Sequence, residues 1–166
     1  DLKRVGKSPA RFDRKKLDWL NGQRIRLMHI EELRDRLVGI LEKQGFDVAS
    51  KSEAWLTRMT EICREKIPTL NDIVAQTDFF FQEVTGYDEK GVKKQFKKED
   101  SLMWLEKGRE ALAGVDSWEH DGIKAAYQKL VEDTGIKLGS FVNPTRLALS
   151  GKPVGPGFFE LAELLG

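Results

Sequence analysis

NPTRLALSGKPVGPGFFELAELLG, residues Asn143 to Gly166, predicts two short helices joined by a Gly/Pro turn. Pro144 fits the first turn of a helix, where its missing N–H would have no intrahelical partner. Leu147, Ala148 and Leu149 continue that helix, and Gly151 can end it in a left-handed conformation. Pro156 opens the second helix, whose apolar residues run from Phe158 to Leu165. Between them Lys152-Pro153-Val154-Gly155 projects as a loop, and Gly155 lets another backbone or a ligand come close. Arg146 lies one turn before the loop, too early to be a C-cap charge. From the residues alone the plain reading is a helical hairpin that closes a core, with Arg146 on a solvated face.

The chain has 166 residues, enough for one ordinary domain or two small subdomains. Hydrophobic residues make up 40% and charged residues 33%, a balance that fits a globular protein with a well-charged surface. The net charge of +1 gives no global basic field, so any nucleic-acid contact must use a local patch. A single cysteine, Cys63, excludes an internal disulfide and a cysteine-rich metal site. It lies on an apolar helical stripe and is expected in the core. That cysteine usage points to the cytoplasm. No apolar run reaches the length of a membrane span, so no membrane partner is expected. The first residues, DLKRVGKSPARFD, show no initiating methionine and no apolar signal core, and the chain is expected to be a piece of a longer protein.

Helical signals dominate in every part of the chain. Ser8 to Phe12 lead in, and Asp13 is a good N-cap for a short helix carrying Leu17, Trp19 and Leu20, ended by Asn21-Gly22. Ile30, Leu33, Leu37, Ile40 and Leu41 recur at steps of three and four, an amphipathic helix that stops at Gly45. Ser52 caps the next, with Trp55, Leu56, Met59 and Ile62 on one stripe, and Pro68 stops it. Thr69 starts another short helix. Phe79-Phe80-Phe81 lacks flanking alternation and is expected as a helical corner packed into a core. Gly86-Tyr87-Asp88 breaks the pattern. Helices follow over about 89–98, 101–113 and 118–134, with Asp88, Asp100 and Ser117 as caps and Gly114 and Gly135 as stops. The expected class is all-α. The four tryptophans, Trp19, Trp55, Trp104 and Trp118, each belong to such a stripe and are expected to pack between helices.

Catalytic constellations are not visible. No glycine-rich phosphate loop follows a strand. His29 and His120 are too far apart to form a local metal pair, and neither neighbours a ligand-spaced cysteine. Met28-His29-Ile30-Glu31 lacks the glycine of the class I synthetase HIGH motif and sits where a helix begins; KMSKS is also absent. The chain is expected to be non-catalytic by itself, with no cofactor of its own. Lys93, Lys94, Lys97 and Lys98 form a basic cluster on one side of a helix. Two readings stand: a solvated face partly neutralised by Glu89, Glu99 and Asp100, or a phosphate contact.

Several runs together resemble one family. Arg-x-Ala-Leu-Ser-Gly at 146–151, Pro-Gly-Phe-Phe-Glu-Leu at 156–161 and the closing Leu-Leu-Gly are similar to the C-terminal signature of bacterial glutamyl-tRNA synthetases. Phe12-Asp13 with Lys16 to Gly22, Asp78 to Phe81 followed by Tyr87-Asp88, and Ile136 to Gly139 with Asn143-Pro144 resemble further stretches of that family, in order. The resemblance implies an all-α anticodon-binding region: about 1–28 the tail of a stem-contact part, 29–78 a first helical subdomain and 79–166 a second. It implies a parent enzyme, a glutamate–tRNA ligase of the cytoplasm that uses ATP and Mg²⁺, with its catalytic domain outside this chain. The implied partner is the glutamate tRNA, with the glutamine tRNA as a further candidate, and the chain is expected as a monomer.

The resemblance also implies site residues. Asn143, Arg146, Lys152 and the turn Gly155, Pro156 to Phe158 should approach the anticodon, as should Arg64 and Lys66 from the first subdomain. Lys66 stands where members that insist on cytosine at the last anticodon position carry an arginine, a departure that weakens strict discrimination. Physically the assignment is coherent: anticodon bases are single-stranded and can be read on their pairing edges by side chains and backbone groups. Two non-enzymatic alternatives are a helical protein-interaction scaffold, which requires a large exposed apolar patch, and a stand-alone regulatory paralogue.

Overall fold

Asp13 begins the part of the chain that the structure, a computed structural model, describes: residues 13–166. The lead-in Ser8 to Phe12 and the Phe12 of the family resemblance lie outside it. The Lys16 N–H donates to Asp13 Oδ1 at 3.2 Å, the expected cap, and α1 (Arg14–Leu27) follows. This helix does not stop at Asn21-Gly22. Gly22 is buried inside it, and a Cβ there would lie 3.7 Å from the Pro68 backbone. Asn21 Nδ2 donates to the Pro68 carbonyl at 2.7 Å. The pair that looked like a stop is therefore where α1 meets another segment closely. Trp19 is also corrected: it is 59% exposed rather than packed between helices.

The first core forms from α2 (Ile30–Lys43), α3 (Glu53–Arg64) and α4 (Asp72–Thr77). Leu33, Leu37 and Leu41, at the predicted spacing of four, are fully buried against Met59, Cys63 and Ile73. Each such leucine contributes about 1.5–3 kcal/mol of burial. Ser52 caps α3 as expected, accepting from the Trp55 N–H at 3.2 Å. Thr69 and Asp72 share one carboxylate before α4, with both the Thr69 amide and hydroxyl donating to Asp72 Oδ2. The phenylalanine run turns a 3₁₀ corner over Asp78–Phe80, and Phe79 and Phe80 are buried in this core.

The second core is built from α6 (Ser101–Ala113), α7 (His120–Thr134) and α8 (Leu138–Ser150), and α5 (Glu89–Gln95) packs against α8. Ile123, Tyr127 and Phe141 lie at its centre. The Tyr127 hydroxyl donates to the Gly108 carbonyl at 3.3 Å, and its burial pushes the phenol up to about 12. Helix α5 stops at Gln95, short of the expected 98, because Ser101 Oγ donates to the Gln95 carbonyl at 2.6 Å and accepts from the Lys98 amide at 3.1 Å. Lys97 and Lys98 thus lie beyond the helix, and the cluster with Lys93 and Lys94 is not one helical face. Helix α7 is preceded by Glu119, not Ser117.

The last helix, α9 (Phe158–Leu165), is shared by both cores. Leu161 and Leu164 enter the first; Phe158 and Ala162 enter the second. Carbonyls of its last turn, where helical partners run out, receive tryptophans from both sides; that of Ala162 also accepts the Gly166 amide at 3.4 Å. Trp55 Nε1 donates to the Leu164 carbonyl and Trp118 Nε1 to the Ala162 carbonyl, each at 3.0 Å. Arg58 of α3 also pairs with Glu163 at 3.0 Å. Among the described residues no helix is long and apolar enough to cross a membrane.

Candidate functional site

Helix α8 supplies the central side chain. Pro144 does not open it. The helix begins at Leu138, and Pro144 lies inside, buried. A mid-helix proline removes one ladder hydrogen bond and costs on the order of 3 kcal/mol. The fully buried Phe141 and Leu147 on either side of it outweigh that cost. Asn143 and Arg146, three apart, share a face of the helix. Asn143 is exposed and Arg146 half-buried, so Arg146 is not on a solvated face as the residues alone implied.

The Arg146 guanidinium turns back over the loop and Nη1 donates to the Pro156 carbonyl. Burial lowers its pKa below the ordinary arginine value, and the charge of Glu160 works in the opposite direction. Among the described residues no carboxylate lies within ion-pair distance of it. Glu163, a potential partner by sequence, is taken by Arg58. Glu160 lies nearer to His120, with 3.8 Å between His120 Nε2 and Glu160 Oε1.

The loop between α8 and α9 is fixed at its base. Gly151 adopts φ 71°, as expected of a left-handed cap, and its amide donates to the Leu147 carbonyl at 2.8 Å. The Asp88 amide donates to the Gly151 carbonyl at 2.9 Å, tying the loop to the segment before α5. Pro153 and Val154 form the exposed tip. Pro156 does not open α9; Gly157 is the N-cap and Pro156 is buried two residues before the helix. A Cβ at Gly155 would sit 3.6 Å from Gln76 Oε1 and 3.9 Å from Arg146 Nη1, so α4 and α8 both reach the turn at this glycine. Gln76 Oε1 is buried without a hydrogen-bond partner.

Lys152 points away from the tip. Its Nζ pairs with the Asp78 carboxylate, donates to the Ala75 carbonyl at 2.5 Å and lies 5.6 Å from the centre of the Phe79 ring. Phe158 ends the turn expected to approach the anticodon, but its ring does not face the loop. Its side chain is in the second core, 4% exposed, packed edge-on against Tyr127 with ring centres 5.1 Å apart. Arg64 and Lys66 form a separate neighbourhood. Arg64 Nη2 donates to the Arg26 carbonyl of α1, and its Nε is buried and unpartnered. Lys66 is exposed just past α3, beside Glu65, which pairs with Arg26 at 2.7 Å. Cys63 is buried and its thiol is pushed up to about 12 by that burial, which rules out a thiolate nucleophile near neutral pH.

Sequence reasoning missed Gln76 and the pairing role of Asp78. Neither belongs to a periodic pattern; Asp78 meets Lys152 from 74 residues away, and Gln76 meets the turn at Gly155 from a similar distance along the chain. Among the described residues no group of three or more His, Cys, Asp or Glu side chains could hold a metal ion.

The family described as the anticodon binding domain matches residues 28–166. The chain belongs to that family. The match begins at Met28, so it takes in α2 to α9 and leaves α1 outside. The glutamate–tRNA ligase 1 of Caldanaerobacter subterraneus subsp. tengcongensis is 38% identical over 165 residues, which is 99% of this anticodon-binding domain and 34% of that protein. The glutamate–tRNA ligase of Moorella thermoacetica is 34% identical over 168 residues, with the same coverage of 99% and 34%. Among solved structures, a glutamate tRNA ligase from Elizabethkingia meningosepticum in complex with its amino acid superposes with a TM-score of 0.80 at 28% identity. That superposition covers 100% of this chain and 32% of the ligase. The chain spans about a third of the length of the relatives it matches.

Proposed function

We propose that this anticodon-binding domain reads the anticodon of the glutamate tRNA within a glutamate–tRNA ligase of the cytoplasm. The observation that carries the reading is Arg146, a half-buried guanidinium with no carboxylate within ion-pair distance among the described residues, held beside an exposed Asn143 and the glycine turn at Gly155. Withdrawing a cation from water without an anion is costly. An arriving base edge or phosphate would offset that cost. The hydrogen bond to Pro156 sets the plane of the guanidinium, and its remaining N–H groups are the ones available to an acceptor on a splayed base. Asn143 adds a donor and an acceptor one helical turn away. The backbone of Gly155 and Pro156 bounds the same place; the Phe158 ring does not contribute.

Arg64 and Lys66 are the second arm of this reading. Lys66 presents an exposed ammonium at the end of α3, and Arg64 braces that end against α1. A lone ammonium selects an acceptor with less geometric precision than an arginine fork, which leaves the glutamine tRNA as an additional substrate to test. The parent's ATP and Mg²⁺ serve activation of glutamate in the catalytic part, and no residue of this chain is assigned to them. The divisions at about 28 and 78 and the monomeric state are further parts of the proposal.

Filter binding of the chain to glutamate tRNA and to anticodon variants tests it. Anticodon-dependent affinity that falls on substitution supports the reading. Affinity indifferent to the anticodon overturns it. The exposed Leu17, Trp19, Leu20 and Leu27 on α1 supply the apolar surface that a protein-interaction scaffold requires; that second reading predicts no affinity for the tRNA at all.

A further inference from the structure

We propose that Asp78 and Lys152 form a strap that positions the turn between α8 and α9, and that the Lys152 ammonium serves the protein rather than an RNA phosphate. The inference rests on the anticodon reading above for its functional consequence. The resemblance implies that Lys152 approaches the anticodon, and a lysine in that loop could meet a phosphate. Its geometry assigns the charge elsewhere. Only 29% of the Lys152 side chain and 31% of the Asp78 side chain remain exposed. The ammonium meets the carboxylate of Asp78, the Ala75 carbonyl and the face of the Phe79 ring. Ala75 lies in the last turn of α4, where carbonyls lack helical partners and the helix dipole favours a cation. Asp78 is held in turn by the Phe79 amide, which donates to its Oδ1 at 2.8 Å.

The strap joins the first core to the loop. Phe79 belongs to the first core, and Arg146 reaches the same loop from α8 through Pro156. Gly151 anchors the loop base and Lys152, the next residue, anchors its rise, so the position of Gly155 and Pro156 beside Arg146 is set from two sides. Asp78 is then a positioning residue that touches no RNA. Its negative charge would oppose RNA binding by simple electrostatics, so the two roles predict opposite signs for its removal.

The experiment uses the whole 166-residue chain and the variants D78N, K152M and D78N/K152M. Binding to glutamate tRNA and to a variant substituted at one anticodon base is measured across a range of salt. Backbone hydrogen exchange of residues 150–158 is measured without RNA. The strap predicts that D78N weakens binding to the native anticodon by roughly tenfold, about one decade in Kd, with a smaller loss on the substituted anticodon. It predicts that K152M does the same with an unchanged salt slope, that the double variant loses no more than either single, and that turn amides exchange faster in all three. A phosphate contact predicts the reverse: D78N binds as well or better, and K152M flattens the salt slope by about 0.7 for one lost single-strand contact. That result, or unchanged exchange in D78N, overturns the strap. Absence of tRNA binding by the unaltered chain overturns the anticodon reading instead, and the exchange arm still judges the strap.

Discussion

Replacing Gly151 by alanine should cost far more stability than replacing Gly135 by alanine, although both glycines end helices in the same left-handed conformation. Their φ angles are 71° and 68°, so the conformational penalty on adding a Cβ is shared, about 1–2 kcal/mol. The surroundings differ. At Gly135 an added Cβ meets nothing within 4 Å. At Gly151 it would lie 2.5 Å from the Gly86 carbonyl oxygen and 2.9 Å from Val84 Cγ1. The first of these is backbone and cannot rotate away. The loop must shift, which strains the Asp88 amide to Gly151 carbonyl bond, 2.9 Å long in the structure. Overpacking adds about 1–3 kcal/mol, and a lost hydrogen bond about 0.5–1.5 kcal/mol. The expected totals are ~1–2 kcal/mol for G135A and ~2.5–6.5 kcal/mol for G151A. Urea unfolding followed by far-UV circular dichroism measures both from the midpoint shift, provided the slope stays constant. The same shift should also weaken tRNA binding in G151A and leave G135A unaffected, because only the first moves the turn beside Arg146. Equal midpoint shifts in the two variants would refute the claim that close packing against Gly86 fixes the loop.

Three further outcomes follow from the same geometry. Arg146→Ala should reduce binding to the native anticodon by ~1–3 kcal/mol and reduce binding to a substituted anticodon less, with a lower Tm as well because the Pro156 carbonyl loses its donor; uniform weakening across anticodons would mark a phosphate contact instead. Lys66→Arg should sharpen the preference for cytosine over uracil at the last anticodon base, and an unchanged preference in filter binding counts against its role there. Stability should be level up to about pH 9 and fall toward pH 12, since Cys63 rises from 9.0 and Tyr127 from 10.0 to about 12 on folding and the unfolded chain releases both protons first. Tyr127→Phe should remove part of that slope, and a pH titration of the Tm that stays level to pH 12 would show that neither group is buried as described.

Much of the architecture was legible because helix periodicity is a local signal. The leucines at 33, 37 and 41 declared one face of α2, and Ser52 and Asp88 each accept the amide hydrogen bond expected of a cap. The left-handed stops at Gly135 and Gly151 follow from the same short-range stereochemistry. Arg146 and the loop after it become a candidate site only through the family resemblance of residues 146–151 and 156–161; the residues by themselves place Arg146 on a solvated face.

What the tertiary structure alone decided is which local preference yields. A proline inside α8 and a glycine inside α1 are both tolerated because burial of Phe141 and close approach to Pro68 outweigh the local cost. Partner choice over long separations was also undetermined by sequence. Nothing near Lys152 announces Asp78, seventy-four residues earlier, and nothing near Trp55 announces the carbonyl of Leu164. The sequence specified which groups needed hydrogen bonds; only the packing of α9 between two cores brought their partners within reach, because satisfying a buried polar group depends on distance in space and not along the chain.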